Sequence, residues 1–304
     1  MSGSFTITPR GAFSLAEAAA FGFGQRAGAA WDDVMRLAFC LDGYQHQVGV
    51  EVRQDAGGVH SRVHGPEGAD IGATARQVAR VLSLDHDGTE LTRIGERDPV
   101  IGALVSVAPG LRPPLFYSPY EAAAWAVLSA RRPARAMMGV RDRLSRAHGA
   151  VFDLAGQQHA ALPSPAQLLA VESFPGISPD RMDRLHGVAR AALGGLLDAD
   201  RLRELGPEHA MAQVQTINGI GPFYGALIVA RGTGFADVLP VNEPKLLALV
   251  ARLYRLAAPP APAQLHQIAE AWRPLRTWAA VLIRAATPRL LETEPDRFPP
   301  PVPA

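Results

Sequence analysis

Two short stretches carry residue types at spacings that can do chemistry. The first is Asn218-Gly219-Ile220-Gly221-Pro222-Phe223, set between apolar segments. Two glycines bracketing one apolar residue, with proline next, read as two helices joined by a tight hairpin. The glycines permit backbone angles that a side chain forbids. Pro222 fits the first position of the second helix, where its missing N–H costs nothing. Ile220 can turn inward and pin the helices, while the free N–H groups of the second helix form an anion site. The second stretch is Val241-Asn242-Glu243-Pro244-Lys245. A residue before proline is pushed out of the helical region, so Glu243 reads as an N-cap with Pro244 at the first helical position. A carboxylate is favoured there by the helix dipole. From these residues alone an ordinary capping acid is the simpler reading. The other reading is a fixed charge that stabilises positive charge developing in a reaction.

The hairpin resembles that of the helix–hairpin–helix DNA glycosylase superfamily. Asp237-Val238-Leu239-Pro240-Val241-Asn242-Glu243-Pro244 is similar to the acidic segment in which that family's catalytic aspartate opens a helix. Ala269-Glu270-Ala271-Trp272-Arg273-Pro274-Leu275-Arg276-Thr277-Trp278-Ala279-Ala280 is similar to a stretch of the 3-methyladenine DNA glycosylase II branch. The resemblance covers about Arg97 to Ala286, and the three segments stand in the family's order.

The resemblance implies a monofunctional glycosylase that flips and excises damaged, alkylated bases from duplex DNA. Glu243 takes the place of the catalytic aspartate, one methylene longer. Asn218, Gly219, Ile220 and Gly221 would hold DNA phosphate. Phe223 stands where strand-cutting members carry a Schiff-base lysine and where the alkylation branch has a pocket tryptophan. It can stack on a flipped base, or simply fill the hairpin. Trp278, Trp125 and Phe13 are further pocket candidates. Arg131, in Val127-Leu128-Ser129-Ala130-Arg131-Arg132-Pro133, lies where the wedge that fills the vacated stack belongs; a guanidinium can stack there, and a phosphate contact is the alternative role. No organic cofactor and no metal are implied, apart from a monovalent cation on the hairpin carbonyls. The rival reading is a non-catalytic DNA-binding relative, suggested by glutamate for aspartate and by the altered wedge segment. A helical protein–protein module leaves the outward glycine hairpin unexplained.

The elements that must position these residues follow from composition and periodicity. The chain has 304 residues, 48% of them hydrophobic, enough for two domains with a sizeable core. Its single cysteine, Cys40, excludes internal disulfides and a four-cysteine iron–sulfur cluster. No apolar run reaches membrane-spanning length, and the start lacks a signal peptide's charged-then-apolar layout. We therefore expect a cytoplasmic, nucleoid-associated monomer. Net charge is only +1, but Arg131, Arg132, Arg135, Arg141, Arg143 and Arg146 crowd one segment, and Lys245 is the sole lysine.

The expected fold class is α+β. Residues 1–95 read as a mixed α/β domain, 96–290 as a helical helix–hairpin–helix domain, and 291–304 as a proline-rich tail. Phe5–Thr8 alternates like a strand, and Ser14 caps a helix over Leu15–Phe21. Met35–Leu41 and Val48–Arg53 read as paired strands around Asp42-Gly43. Ile71–Leu84 and Asp98–Val107 have helical spacing. Ser118-Pro119 opens a helix through Leu128, Pro163-Ser164-Pro165 opens one through Val171, and Arg181–Leu197 is helical to Gly194-Gly195. After Pro288 the chain becomes acidic and proline-rich, and Pro299–Ala304 reads as a loose tail. The histidines at 46, 60, 64 and 86 lack metal-ligand spacing and suit solvent-facing or capping roles.

Overall fold

The computed structural model describes residues 2–21 and 31–294. The fold is α+β. Six strands are described: β1 Ser2–Ile7, β2 Met35–Cys40, β3 Gln47–Asp55, β4 Gly58–His64, β5 Val151–Leu154 and β6 Gln157–Ala160. Thirteen α-helices are described. The first seven are α1 Leu15–Phe21, α2 Ile71–Val81, α3 Thr89–Arg97, α4 Pro99–Val107, α5 Pro119–Ser129, α6 Ala134–His148 and α7 Pro165–Leu169. The rest are α8 Pro179–Leu193, α9 Ala199–Val214, α10 Pro222–Gly232, α11 Pro244–Leu253, α12 Pro262–Ala269 and α13 Arg276–Thr293.

Packing groups these elements differently from their order in the chain. Among the described residues, one compact unit is drawn from 1–8, 22–85 and 114–234, and the other from 9–21, 86–113 and 235–304. A unit assembled from three pieces leaves no compositional mark at its seams, which is why a reading in sequence order puts a single boundary near residue 95.

In the first unit the sheet has the order β1-β4-β3-β2, with every neighbour antiparallel. Val48, Val50 and Val52 recur every second residue and are fully buried. On the other face of β3, Gly49 lies against Phe152 and Leu154 of β5, where a Cβ would sit only 2.7–2.8 Å from their atoms. That close approach requires glycine. β4 and the β5–β6 hairpin go beyond the expected strands. β6, Gln-Gln-His-Ala, shows no apolar alternation and is defined by its pairing with β5.

Behind the sheet the unit is helical. From Pro119 to Leu128 every residue of α5 is buried, and α8 and α10 pack against it. Ser118 starts this helix as its type and place predict, its Oγ accepting from Glu121 N at 3.2 Å. Ser164 and Gln167 close a reciprocal cap on α7. His60 bonds Asp55 and Thr6, and His64 bonds Glu51. Among the described residues no group of three or more His, Cys, Asp or Glu is placed to hold a metal ion. Cys40 is fully buried, and burial pushes its thiol well above the usual range, the profile of a core residue.

The second unit packs α3, α4, α11, α12 and α13 around Ile94, Ile101, Leu104, Leu265, Trp272, Ile283 and Leu290. α3 has only two large apolar residues, Leu91 and Ile94, both buried, too thin a stripe to read from sequence. Asp98 caps α4 through Val100 N and Ile101 N, and its other oxygen accepts from Tyr254 Oη at 2.5 Å and Trp272 Nε1 at 3.0 Å. A buried carboxylate with four donors is satisfied without a cation. Burial first, then Asp98, pushes the Tyr254 phenol far above its ordinary value.

α13 runs through Pro288 to Thr293, three residues into the proline-rich tail expected at 291–304. Pro288 removes the N–H that would bond the Arg284 carbonyl. Burial of Ile283, Ala286, Thr287 and Leu290 on one face offsets that loss, because each large apolar side chain buried is worth about 1.5–3 kcal/mol. The proposed tail segment Pro299–Ala304 lies outside the described residues. No described helix is long and apolar enough to cross a membrane.

Candidate functional site

In the first unit, α9 and α10 are joined by Gln215–Gly221, the glycine hairpin. Val214, Ile217 and Ile220 are buried, and Ile220 N donates to Ile217 O at 3.0 Å. Asn218, Gly219 and Gly221 are exposed. Only Gly219 has a left-handed φ, +93°; a Cβ there would meet Arg184 Cδ at 3.2 Å. Gly221 is the N-cap of α10 with ordinary extended angles, φ −87° and ψ −179°, and a Cβ on it meets nothing within 4 Å. No side chain caps α10. The first amide satisfied inside it is Gly225 N, which donates to Gly221 O at 2.8 Å. The N–H groups of Phe223 and Tyr224 precede it and have no intrahelical acceptor.

Arginines flank the hairpin that the sequence reading did not single out. Arg184 of α8 lies beside Gly219 and pairs with Asp180 at 3.0 Å. Arg181, one turn earlier, donates to the carbonyls of Leu128 and Ala130 at the end of α5. Burial first, then Arg132 and Arg184, pushes the Arg181 guanidinium below its ordinary value. An anion beside Arg181 would offset that repulsion from the other two guanidinium groups. The signal of these arginines was present: positions 181 and 184 are neighbours on one helix face.

Arg131 follows the end of α5, exposed, with φ +55°. Of the arginine-rich segment, Arg141 is tied to the buried Glu121 at 2.8 Å and Arg146 to Asp142 at 2.9 Å. Arg141 is structural and Arg146 makes a surface pair, whereas Arg131 and Arg132 are exposed after α5 and Arg135 is exposed at the start of α6. Phe223 is 54% exposed on α10, with its ring edge-on to Tyr224 at 5.2 Å. A large exposed phenylalanine is not filling a core. Trp125 is buried within α5.

The second unit holds the acidic segment. Glu243 is the N-cap of α11, as Pro244 predicts, with φ −111° and ψ 99°. Its Oε2 accepts from Leu246 N at 2.7 Å, and its Oε1 accepts from Arg284 Nη1 at 2.6 Å. The pair is partly exposed on both sides. Lys245, two residues on, is exposed.

The loop before Glu243 is pinned to the start of α13. Asp237 accepts from Arg273 Nη1 at 2.8 Å and from Arg276 Nε at 2.8 Å. Thr277 N donates to Ala236 O, and the Thr277 hydroxyl accepts from Val238 N. Arg284 lies seven residues past Thr277, two turns along the same face. Two of the pocket candidates also belong to this unit. Phe13 and Trp278 are buried, and the guanidinium of Arg112 lies over both rings, 5.8 and 5.6 Å from their centroids. Arg112 is itself fixed by the carbonyls of Arg10, Gly11, Ala12 and His86. Of the aromatic candidates, Phe223 and Trp125 belong to one unit, Phe13 and Trp278 to the other.

No family model matches the chain. Over 210 residues it is 30% identical to the "Probable bifunctional transcriptional activator/DNA repair enzyme AlkA" of Mycobacterium tuberculosis, which spans 68% of this chain and 41% of that protein. The chain therefore spans about two fifths of the length of that relative. A DNA-3-methyladenine glycosylase of Bacillus subtilis is 20% identical over 206 residues, 65% of this chain and 67% of the relative. Among solved structures, a 3-methyladenine DNA-glycosylase from Archaeoglobus fulgidus superposes with a TM-score of 0.74 at 19% identity, covering 92% of this chain and 96% of that one.

Proposed function

We propose that this chain is a member of the helix–hairpin–helix DNA glycosylase superfamily, which its fold and its sequence relatives support, and that it is a monofunctional DNA glycosylase acting on alkylated bases in duplex DNA. The observation that carries this reading is Glu243, a carboxylate held by both oxygens at a helix N-terminus. Cleavage of the bond from sugar to base builds positive charge on the sugar. A fixed anion stabilises that charge and orients the water that completes hydrolysis. The open amides of α10 and the arginines beside the hairpin bind DNA phosphate. The target base leaves the stack and meets an aromatic face, for which exposed Phe223 is the best-presented ring. Methylated purines suit such a face because they are cationic and leave readily.

The strand stays intact, because no lysine stands at the Phe223 position to form a Schiff base with the sugar. The purified protein should release free 3-methyladenine from methylated duplex, leave an abasic strand, and yield no adduct with borohydride. Tight duplex binding with no base released would favour the non-catalytic relative. A trapped covalent adduct would instead end the monofunctional reading.

A further inference from the structure

Glutamate is long for the place it occupies. Aspartate, asparagine, serine and threonine lead at helix N-caps, and a longer side chain must freeze an extra torsion to reach the same amide. Glu243 reaches Leu246 N all the same, at 2.7 Å. That bond fixes one oxygen and leaves the carboxylate able to turn about it. The second oxygen is fixed by Arg284, at 2.6 Å, from another helix. Arg284 is presented from a fixed base, since Asp237 and Thr277 tie the same loop to the start of α13.

We infer that Arg284 is a positioning residue for Glu243: it supplies the second anchor that holds the long carboxylate in one orientation. This rests on the excision reading and deepens it. Two effects of the guanidinium oppose each other. It orders the carboxylate, which speeds a reaction that depends on geometry. It also places a positive charge beside the anion, which weakens the field that would stabilise a sugar cation. The pair is partly exposed, so water already screens the second effect, and the ordering wins.

The sign of the rate change therefore tests the assignment. Arg284→Met keeps an unbranched apolar stem and removes the guanidinium anchor. Single-turnover release of 3-methyladenine should fall roughly 10- to 100-fold, the scale of a lost orientation, with affinity for abasic duplex unchanged. Arg284→Lys, which keeps one donor, should recover part of the loss. In a Glu243→Asp background the shorter acid is held by the cap bond alone, so Arg284→Met should cost clearly less than in the natural chain. Thermal melts of all four proteins check that each is folded.

An unchanged or faster rate in Arg284→Met would overturn the inference, since the cation would then only shield. So would a loss confined to affinity with a shallower salt dependence, the mark of a phosphate contact, or rate losses that simply add in the double variant. A natural chain that releases no base would overturn both this assignment and the excision reading. An active natural chain with additive losses would overturn the assignment alone.

Discussion

Two helices of this protein open in the same way and end up opposite in character. α10 and α11 each begin with proline, Pro222 and Pro244, and each has an N-cap in extended conformation. At α11 the cap is Glu243, whose carboxylate takes up the Leu246 amide and fills the positive end of the helix. At α10 the cap is Gly221, which has nothing to offer, and the amides of Phe223 and Tyr224 stay unclaimed by the helix. The same dipole is satisfied internally in one case and left for an external anion in the other. One residue at the cap decides between holding a charge and inviting one.

The sharpest way to break that contrast is to remove the charge at α11. Glu243→Gln keeps the shape and one acceptor oxygen, so the helix should still be capped. It loses the ion pair with Arg284 and the anion itself. Excision in single turnover should fall by about 3–4 kcal/mol of transition-state stabilisation, a factor near 10² to 10³, with little change in the melting temperature. A variant that keeps full rate would show that the α11 cap is only a cap, and that the difference between the two helix ends has no chemical meaning.

The two ends also differ in how much of them can be read from sequence. The hairpin is local: glycine, isoleucine, glycine and proline stand within four positions, and the turn, the inward Ile220 and the start of α10 all follow from them. The Glu243 cap is local too, since Pro244 forces it. What holds its second oxygen is not, because Arg284 is 41 residues away and becomes a partner only through the packing of α13. The arginines at 181 and 184 were missed for the same reason, although their one-turn spacing marks them as a pair. Elements with weak stripes escaped as well. α3 buries only two residues, β6 has no apolar alternation, and the acidic, proline-rich composition after Pro288 hides the buried face that carries α13 on to Thr293. Local chemistry is legible; partners supplied by packing are not.

Converting the open end into a closed one is the next test. Gly221→Asp puts a capping carboxylate on α10 at a position whose φ is ordinary and whose Cβ meets nothing. The fold should gain a few tenths of a kcal/mol from the new cap. Affinity for duplex DNA should fall about 10- to 100-fold, damaged or not, since a hydrogen bond to a charged group is worth about 1.5–3 kcal/mol and phosphate contacts carry no base information. Gly221→Ala, sterically free and uncharged, should bind nearly as the natural chain does. If the aspartate variant binds DNA normally, the open amides of α10 are not where phosphate sits.

The smallest effect comes from a third helix end, that of α5, where Arg181 rather than a cap residue holds the last carbonyls. Arg131 follows in the left-handed region, φ +55°, a conformation costing a side-chain-bearing residue about 1–2 kcal/mol. Glycine adopts it freely but loses more entropy on folding, by about 0.5–1 kcal/mol. Arg131→Gly should therefore leave stability level or raise it by up to about 1 kcal/mol, a shift of a few degrees at most in a melt of a chain this size. Arg131→Ala keeps the strain and gains nothing. Function separates the two uses of the side chain. If the guanidinium fills the gap left by a departing base, the glycine variant will be at least as stable yet slower in excision, with near-normal affinity for an abasic site, where no base has to leave. If Arg131 instead holds a phosphate, excision and abasic-site affinity will fall together, and the salt dependence of binding will become shallower by roughly one contact. A glycine variant unchanged in every one of these measurements would make the turn after α5 purely architectural, and the arginine held there in an uncommon conformation without a role in DNA distortion.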